Sequence, residues 1–294
     1  MSLRSVIGNL FNPANIPRQS RKTHTESSRH ALRAYRRRLS FSGTVFIVTI
    51  FFLFLPLFVL VVISFNNSNS MVWAGFSLRW YERLLTERGL WTAFRNSVFI
   101  ALTSAVSATI IGTIGAVGIS WYRFKMRGYI QAISFMPMIL PEIIIGVSLS
   151  IFFAGIGIPL GLFTIYLAHT TFCLPFVFLL VMARLDEFDF SIIEAAHDLG
   201  ATERETLFKV TLPICMPGIV SGMLTAITLS LEDFVITFFV AGPGSSTLPI
   251  FIYSAITRRG GITPLISALS VVMILGTVLL SITLRKFLKF IAAK

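Results

Sequence analysis

Six stretches of this chain, residues 43–65, 93–121, 129–154, 159–183, 214–240 and 264–284, run for more than twenty residues with at most two charged side chains each. A helix crosses about 30 Å of hydrocarbon with about 20 apolar residues. In lipid no backbone N–H or C=O can be left unpaired, so such stretches have to be helical. An all-α membrane protein with six transmembrane helices is therefore expected. The mean hydropathy of +0.81 agrees, as do 55% hydrophobic and only 13% charged residues, a balance foreign to ordinary soluble domains.

The net charge of +12 is unevenly placed. Nine of the 25 lysines and arginines precede the first stretch, three lie between the second and third, three between the fourth and fifth, and four after the sixth; the other loops hold five, and Arg95 lies at the start of the second stretch. By the positive-inside rule both termini and the 184–213 loop are expected on the cytoplasmic side of the membrane. A nucleic-acid role is not expected, because the basic run Arg29, Arg33, Arg36, Arg37 and Arg38 has neither interleaved aromatics nor a binding fold. Its place before the first stretch suits anionic lipid headgroups instead. Residues 1–42 read as a basic cytoplasmic arm and 43–294 as the membrane domain. Leu3, Val6, Ile7, Leu10 and Phe11 have the spacing of a one-sided surface helix, ended by Pro13 and Pro17; a poorly ordered extension is the alternative.

No catalytic or metal constellation is visible. Cys173 and Cys215 lie on different stretches without spaced partners and read as packing thiols, and the four histidines are scattered. No GxxxxGK[ST] phosphate loop occurs, so ATP is not expected to bind this chain. Trp73, Trp80, Tyr81 and Trp91 in the first outer loop suit a membrane interface.

Polar residues inside the apolar stretches are costly and therefore informative. Glu142 lies about thirteen residues into the third stretch, near mid-membrane at about 1.5 Å per residue. Pro137 and Pro141 precede it, so a kinked or broken helix is expected, with Glu142 either lining a route or satisfying the kink. His169, Thr170, Thr171 and Pro175 make a polar patch in the fourth stretch, suited to interhelical hydrogen bonds. In the fifth, Gly218, Gly222, Ala226 and Ser230 recur every four residues as a close-packing face. Beside them Ser221, Thr225, Thr228 and Glu232 form a polar stripe ending in a carboxylate, which suits a substrate route. Asp233 falls on the packing side, where a helix–helix ion pair or hydrogen bond competes with a route role.

The 184–213 loop is the charged island of the chain, with seven acids (Asp186, Glu187, Asp189, Glu194, Asp198, Glu203, Glu205) and three bases (Arg184, Arg204, Lys209). Glu194, Ala195 and Ala196, then Gly200, then Thr202 and Glu205 three apart, predict a short helix, a stop and a capped second helix. Ala195, Ala196 and Leu199 would share a compact apolar face.

The series Glu194-Ala195-Ala196, Gly200 and Leu212-Pro213 resembles the EAA signature of the membrane subunits of bacterial ABC importers, with Val210 where the pattern has isoleucine. The runs 169–175, 194–201, 229–233 and 241–244 further resemble the permeases of spermidine and putrescine importers. The likeness covers residue 41 to the end of the last stretch; the basic arm is longer than that group's. The resemblance implies a type I ABC importer permease with six transmembrane helices and a cytoplasmic coupling helix. It implies docking of Glu194, Ala195, Ala196 and Gly200 on an ATP-binding cassette ATPase dimer that holds ATP and Mg²⁺, and Asp198 and Leu199, which lie between them, are expected to couple with them. It also implies a second, probably non-identical permease subunit and an external substrate-binding protein, with alternating access as the mechanism. For a polycation, Glu142, Glu232 and Asp233 are the natural transient ligands, with Ser221, Thr225 and Thr228 beside them. The alternatives are the same architecture carrying another small solute, and an ion-coupled secondary transporter.

Overall fold

The computed structural model describes residues 18–122, 124–187, 189, 191–259 and 263–292. Among them there is no β-strand, only an isolated bridge between Asn66 and Phe76. The chain divides into two compact units, residues 1–62 and 63–294.

The first unit is dominated by α1 (Arg18–Ser64), a single 47-residue helix that also supplies the first residues of the second unit. It runs through residue 42 without a break, so the basic run and the first apolar stretch share one helical axis. From Phe41 onward it is apolar all round, as a helix solvated by lipid must be. The amphipathic pattern at residues 3–11 lies outside the described residues.

The second unit begins with the loop that follows α1, then α2 (Arg79–Thr86) and the long α3 (Arg88–Trp121). The third stretch is split into α4 (Arg127–Ile139) and α5 (Glu142–Gly155), bent by 106°. Proline clashes with a helical residue before it, and Leu140 accordingly has ψ 140. Then come α6 (Leu162–Asp186), α7 (Ser191–Asp198) and α8 (Glu203–Glu232), which carries a π-turn over Leu207–Thr211. The fifth stretch, expected as one helix to residue 240, breaks at Asp233 and resumes as α9 (Val235–Val240). α10 (Leu248–Arg259) and α11 (Pro264–Ala292) are the last two helices described.

Among the described residues α1, α3, α6 and α8 contain segments long and apolar enough to span, the bent pair α4–α5 counts as a fifth, and Pro264–Leu279 is a shorter apolar segment. The six expected stretches are thus all helical, but two of them are broken rather than continuous.

The core is the mutual packing of α3, α6 and α8. A methyl on Gly112 would meet Val177 and Phe178 at 3.1–3.2 Å, and one on Gly222 would lie 3.1 Å from Val177 Cα. On Gly218 it would be 2.9 Å from the Leu180 carbonyl. Ala101, Ala105, Ala108, Ala116 and Ala226 are fully buried. Small residues let these backbones approach, since lipid gives no hydrophobic drive between helices. Gly118 has open space and takes no part. Ile100, Ile165, Val177, Phe178 and Leu185 fill the remaining volume. Cys173 and Cys215 are buried free thiols on α6 and α8.

Candidate functional site

Two regions carry the residues singled out by the sequence. The first is the charged loop between α6 and α8. Asp189 Oδ1 accepts from the Ser191 amide at 3.0 Å and so starts α7; the Ser191 amide and hydroxyl hold its carboxyl below the usual range. The helix stops in a Schellman motif, in which the Gly200 amide donates to His197 O at 2.8 Å and the Ala201 amide to Ala196 O at 3.0 Å. Gly200 has φ +84, a conformation L side chains resist. Gly200→Ala is expected to cost about 1 kcal/mol, seen as a melting point about 2–4 °C lower.

A capping box follows at once. Thr202 Oγ1 accepts from the Glu205 amide at 3.3 Å, and the Thr202 amide donates to Glu205 Oε2 at 3.1 Å. Lys209 Nζ lies 2.8 Å from Glu205 Oε1. Arg184 joins the loop's two ends, pairing with Glu187 at 2.7 Å and donating to Ile214 O at 3.4 Å. The short helix, stop and capped helix expected from the sequence are all present.

Glu194, Ala195 and Asp198 are exposed, Ala196 is half-buried, and Leu199 is 89% exposed. Ile192 is exposed as well and lies three and seven residues from Ala195 and Leu199, on the same face. The sequence reading missed it, although its spacing was visible. On the other side of α7, Ile193 and His197 look into a cavity of about 490 Å³ shared with Trp121, Arg127, Asp186 and Glu203. One side of α7 therefore faces this cavity and the other is an exposed apolar ridge.

The second region is where the two broken stretches meet. Glu142 is exposed in the first turn of α5, and Glu232 is exposed as the last residue of α8. α5 packs against α9, with Gly146 so close to Ile236 that an added methyl would be 3.2 Å from its Cα. This packing brings Glu142 within electrostatic reach of Asp233 and Glu232, about ninety residues away in sequence. Along α8, Gly218, Gly222, Ala226 and Ser230 are buried, Ser221 and Thr225 half-buried, and Thr228 and Glu232 exposed. The periodicity thus separated the two faces correctly.

Asp233 stands apart from the other two acids. It is 7% exposed, and its carboxylate accepts from the amides of Ile236 at 3.3 Å and Thr237 at 2.8 Å, capping α9. Thr237 Oγ1 donates to Asp233 Oδ2 at 2.6 Å. His169 Nε2, from α6, lies 3.1 Å from the same oxygen and 2.8 Å from Thr237 Oγ1. Its Nδ1 is 2.7 Å from Ser230 Oγ, which Ser104 of α3 approaches at 3.3 Å. The expected interhelical role of the α6 polar patch thus resolves into one histidine with defined partners.

Residues 108–294 match the family described as binding-protein-dependent transport system inner membrane component. The chain is similar to the putrescine transport system permease protein PotI of Escherichia coli K12, 44% identical over 235 residues that cover 77% of this chain and 83% of that protein. It is also similar to the spermidine/putrescine transport system permease protein PotC of Haemophilus influenzae, 41% identical over 76% of this chain and 86% of that one. In fold it resembles a chain from a bacterial ABC transporter involved in import of the acidic polysaccharide alginate. That superposition has a TM-score of 0.71 at 17% identity, covering 87% of this chain and 98% of the other.

Proposed function

The chain belongs to the family of binding-protein-dependent transport system inner membrane components, and from that premise we propose that it carries putrescine and spermidine across the bacterial inner membrane as one permease subunit of an ATP-driven importer. It is a transport subunit and not an enzyme. Family membership removes the ion-coupled alternative; the substrate class and the working parts are the proposal.

The observation that carries the substrate class is the gathering of Glu142, Glu232 and Asp233 where two helices break. A linear polyamine bears an ammonium group at each end and loses hydration as it enters the membrane. Carboxylates and the carbonyls of helix ends replace that hydration without holding the substrate too tightly to release. Glu142 and Glu232, exposed on facing breaks, are the contacts; Asp233 supports them from within the protein. Ser221, Thr225 and Thr228 continue the route along α8.

Energy comes from partners. The ridge of Ile192, Ala195, Ala196 and Leu199, with Glu194, Asp198 and the Gly200 stop, docks on an ATPase dimer that binds ATP and Mg²⁺. A second, non-identical permease chain forms the other wall of the route, and an external binding protein delivers substrate. The positive-inside rule supports a cytoplasmic position for both termini and α7, given where the basic segments fall. Closure of the ATPase on ATP moves α7 as a rigid body, and the capping box passes that motion straight into α8.

Uptake of labelled putrescine and spermidine by the complete complex in proteoliposomes tests the reading. A hydrogen bond to a charged group contributes about 1.5–3 kcal/mol. Glu232→Gln and Glu142→Gln should each therefore lower uptake at sub-saturating substrate about ten- to a hundredfold. Unchanged uptake and substrate preference in both variants would show that these acids do not line the route.

A further inference from the structure

His169 has no part in the transport scheme above, yet it is 1% exposed and satisfied at both ring nitrogens. Burying an imidazole in a membrane domain is costly unless it holds something. What it holds is the joint between α8 and α9. Thr237 Oγ1 gives its hydrogen to Asp233 Oδ2 at 2.6 Å, so its oxygen is an acceptor towards His169 Nε2, and Nε2 carries a hydrogen. That N–H is directed at the Thr237 and Asp233 oxygens together. Ser230 closes the other nitrogen, and Ser104 reaches Ser230 in turn. One buried ring therefore ties α3, α6, α8 and α9 at the fifth-stretch break.

The break itself contains no proline. Asp233 leaves the helical conformation, with ψ 120, and turns its carboxylate onto the first amides of α9. Glu232 is the residue immediately before it. Any rotation of Asp233 swings the end of α8, and the Glu232 side chain with it, relative to Glu142 on the opposing break. His169 is the side chain from a separate transmembrane helix that holds the Asp233 carboxylate against such rotation.

We propose that His169 is a positioning residue for the substrate route: it locks Asp233 as the cap of α9 and thereby fixes where Glu232 points. Its consequence for transport rests on the reading of Glu232 as a route residue, but its geometry does not, and the test reads geometry directly. In the assembled complex, Glu232→Cys is labelled with a positively charged methanethiosulfonate reagent, Cys173 and Cys215 having been replaced by alanine. The labelling rate is compared in His169, His169→Gln and His169→Phe backgrounds. Glutamine keeps a donor close to the Nε2 position and should keep the rate within threefold. Phenylalanine keeps the ring volume without a donor and should change the rate at least tenfold. Glu142→Cys, on the other break, should be labelled at the same rate in all three backgrounds.

Three results would overturn the proposal: no change with phenylalanine, an equal change with glutamine, or an equal change at position 142, which would mean general loosening. If His169→Phe does not assemble, Ser230→Ala frees one face of the ring at little cost in volume. It should shift the rate at position 232 at least threefold, and no shift there overturns the proposal equally. Should Glu232→Gln leave uptake intact while these rates behave as expected, the positioning stands and the polyamine route is what fails.

Discussion

Replacing Leu199 with aspartate is expected to lower substrate-stimulated ATP hydrolysis and uptake by the complete complex at least a hundredfold, while the isolated permease melts as the unmodified protein does. Leu199 is 89% exposed at the end of α7. A large apolar side chain held out in water on a rigid, capped turn contributes little to this chain's own fold, and surface changes of that kind usually shift stability by about 0.5 kcal/mol or less. At a docking interface the same residue is a central anchor, for which losses of about 2–4 kcal/mol are typical. Aspartate adds the cost of an unpaired charge in a dry contact. Together these exceed the about 2.8 kcal/mol that a hundredfold loss requires. The contrast is with Asp198→Ala, one residue earlier and also exposed, which should lose less than tenfold. ATP hydrolysis measured with and without substrate and binding protein separates the two variants. A fully coupled Leu199→Asp complex would mean that α7 does not dock through this ridge.

The parts of this protein that were legible in its sequence are those whose causes lie within about one helical turn. Gly200, Thr202 and Glu205 specify a stop and a capping box through bonds spanning five residues or fewer. The two faces of α8 follow from helical period alone, because the helix is unbroken from Leu212 to Glu232. The kink at Pro141 is local as well, but its angle of 106° depends on how α5 lies against α9. The break at Asp233 has a local part, the carboxylate capping the amides of Ile236 and Thr237 three and four residues on, but the partner that holds that carboxylate, His169, is sixty-four residues away on another helix. For the same reason the meeting of Glu142 with Glu232 was not visible, although each was suspect alone as a carboxylate inside an apolar stretch. Residues 242–244 show the same limit, because the structure presses Gly-Pro-Gly against the turn between α5 and α6, about eighty residues away in sequence.

That joint carries the largest stability effect expected here. A methyl on Gly242 would run into the backbone carbonyl of Leu160 and come within 3.1 Å of the Gly161 amide. The obstacle is the backbone of the Leu160–Gly161 peptide, so no side-chain rotation relieves the clash. The surroundings are also fixed: Ser245 Oγ accepts from the Gly242 amide at 2.8 Å and donates to its carbonyl at 2.7 Å. Thr164 Oγ1, which accepts from the Gly161 amide at 2.8 Å, lies 2.8 Å from Val240 O. Overpacking a well-packed site costs about 1–3 kcal/mol even where side chains can yield; with none to yield, Gly242→Ala should cost about 3 kcal/mol or more. Gly244→Ala is the control. Gly244 has φ +76 but open space around it, so only conformational strain of about 1 kcal/mol applies. In a thermal melt of the detergent-solubilised permease, Gly242→Ala should fall about 6–10 °C and Gly244→Ala about 2–4 °C. Because the joint also sets how α9 leaves the break at Asp233, Gly242→Ala should depress uptake at temperatures well below its melting point, whereas Gly244→Ala should not. Equal melting points for the two variants would mean that the turn is free to move away from Leu160, and that the C-terminal end of the fifth stretch is not anchored there.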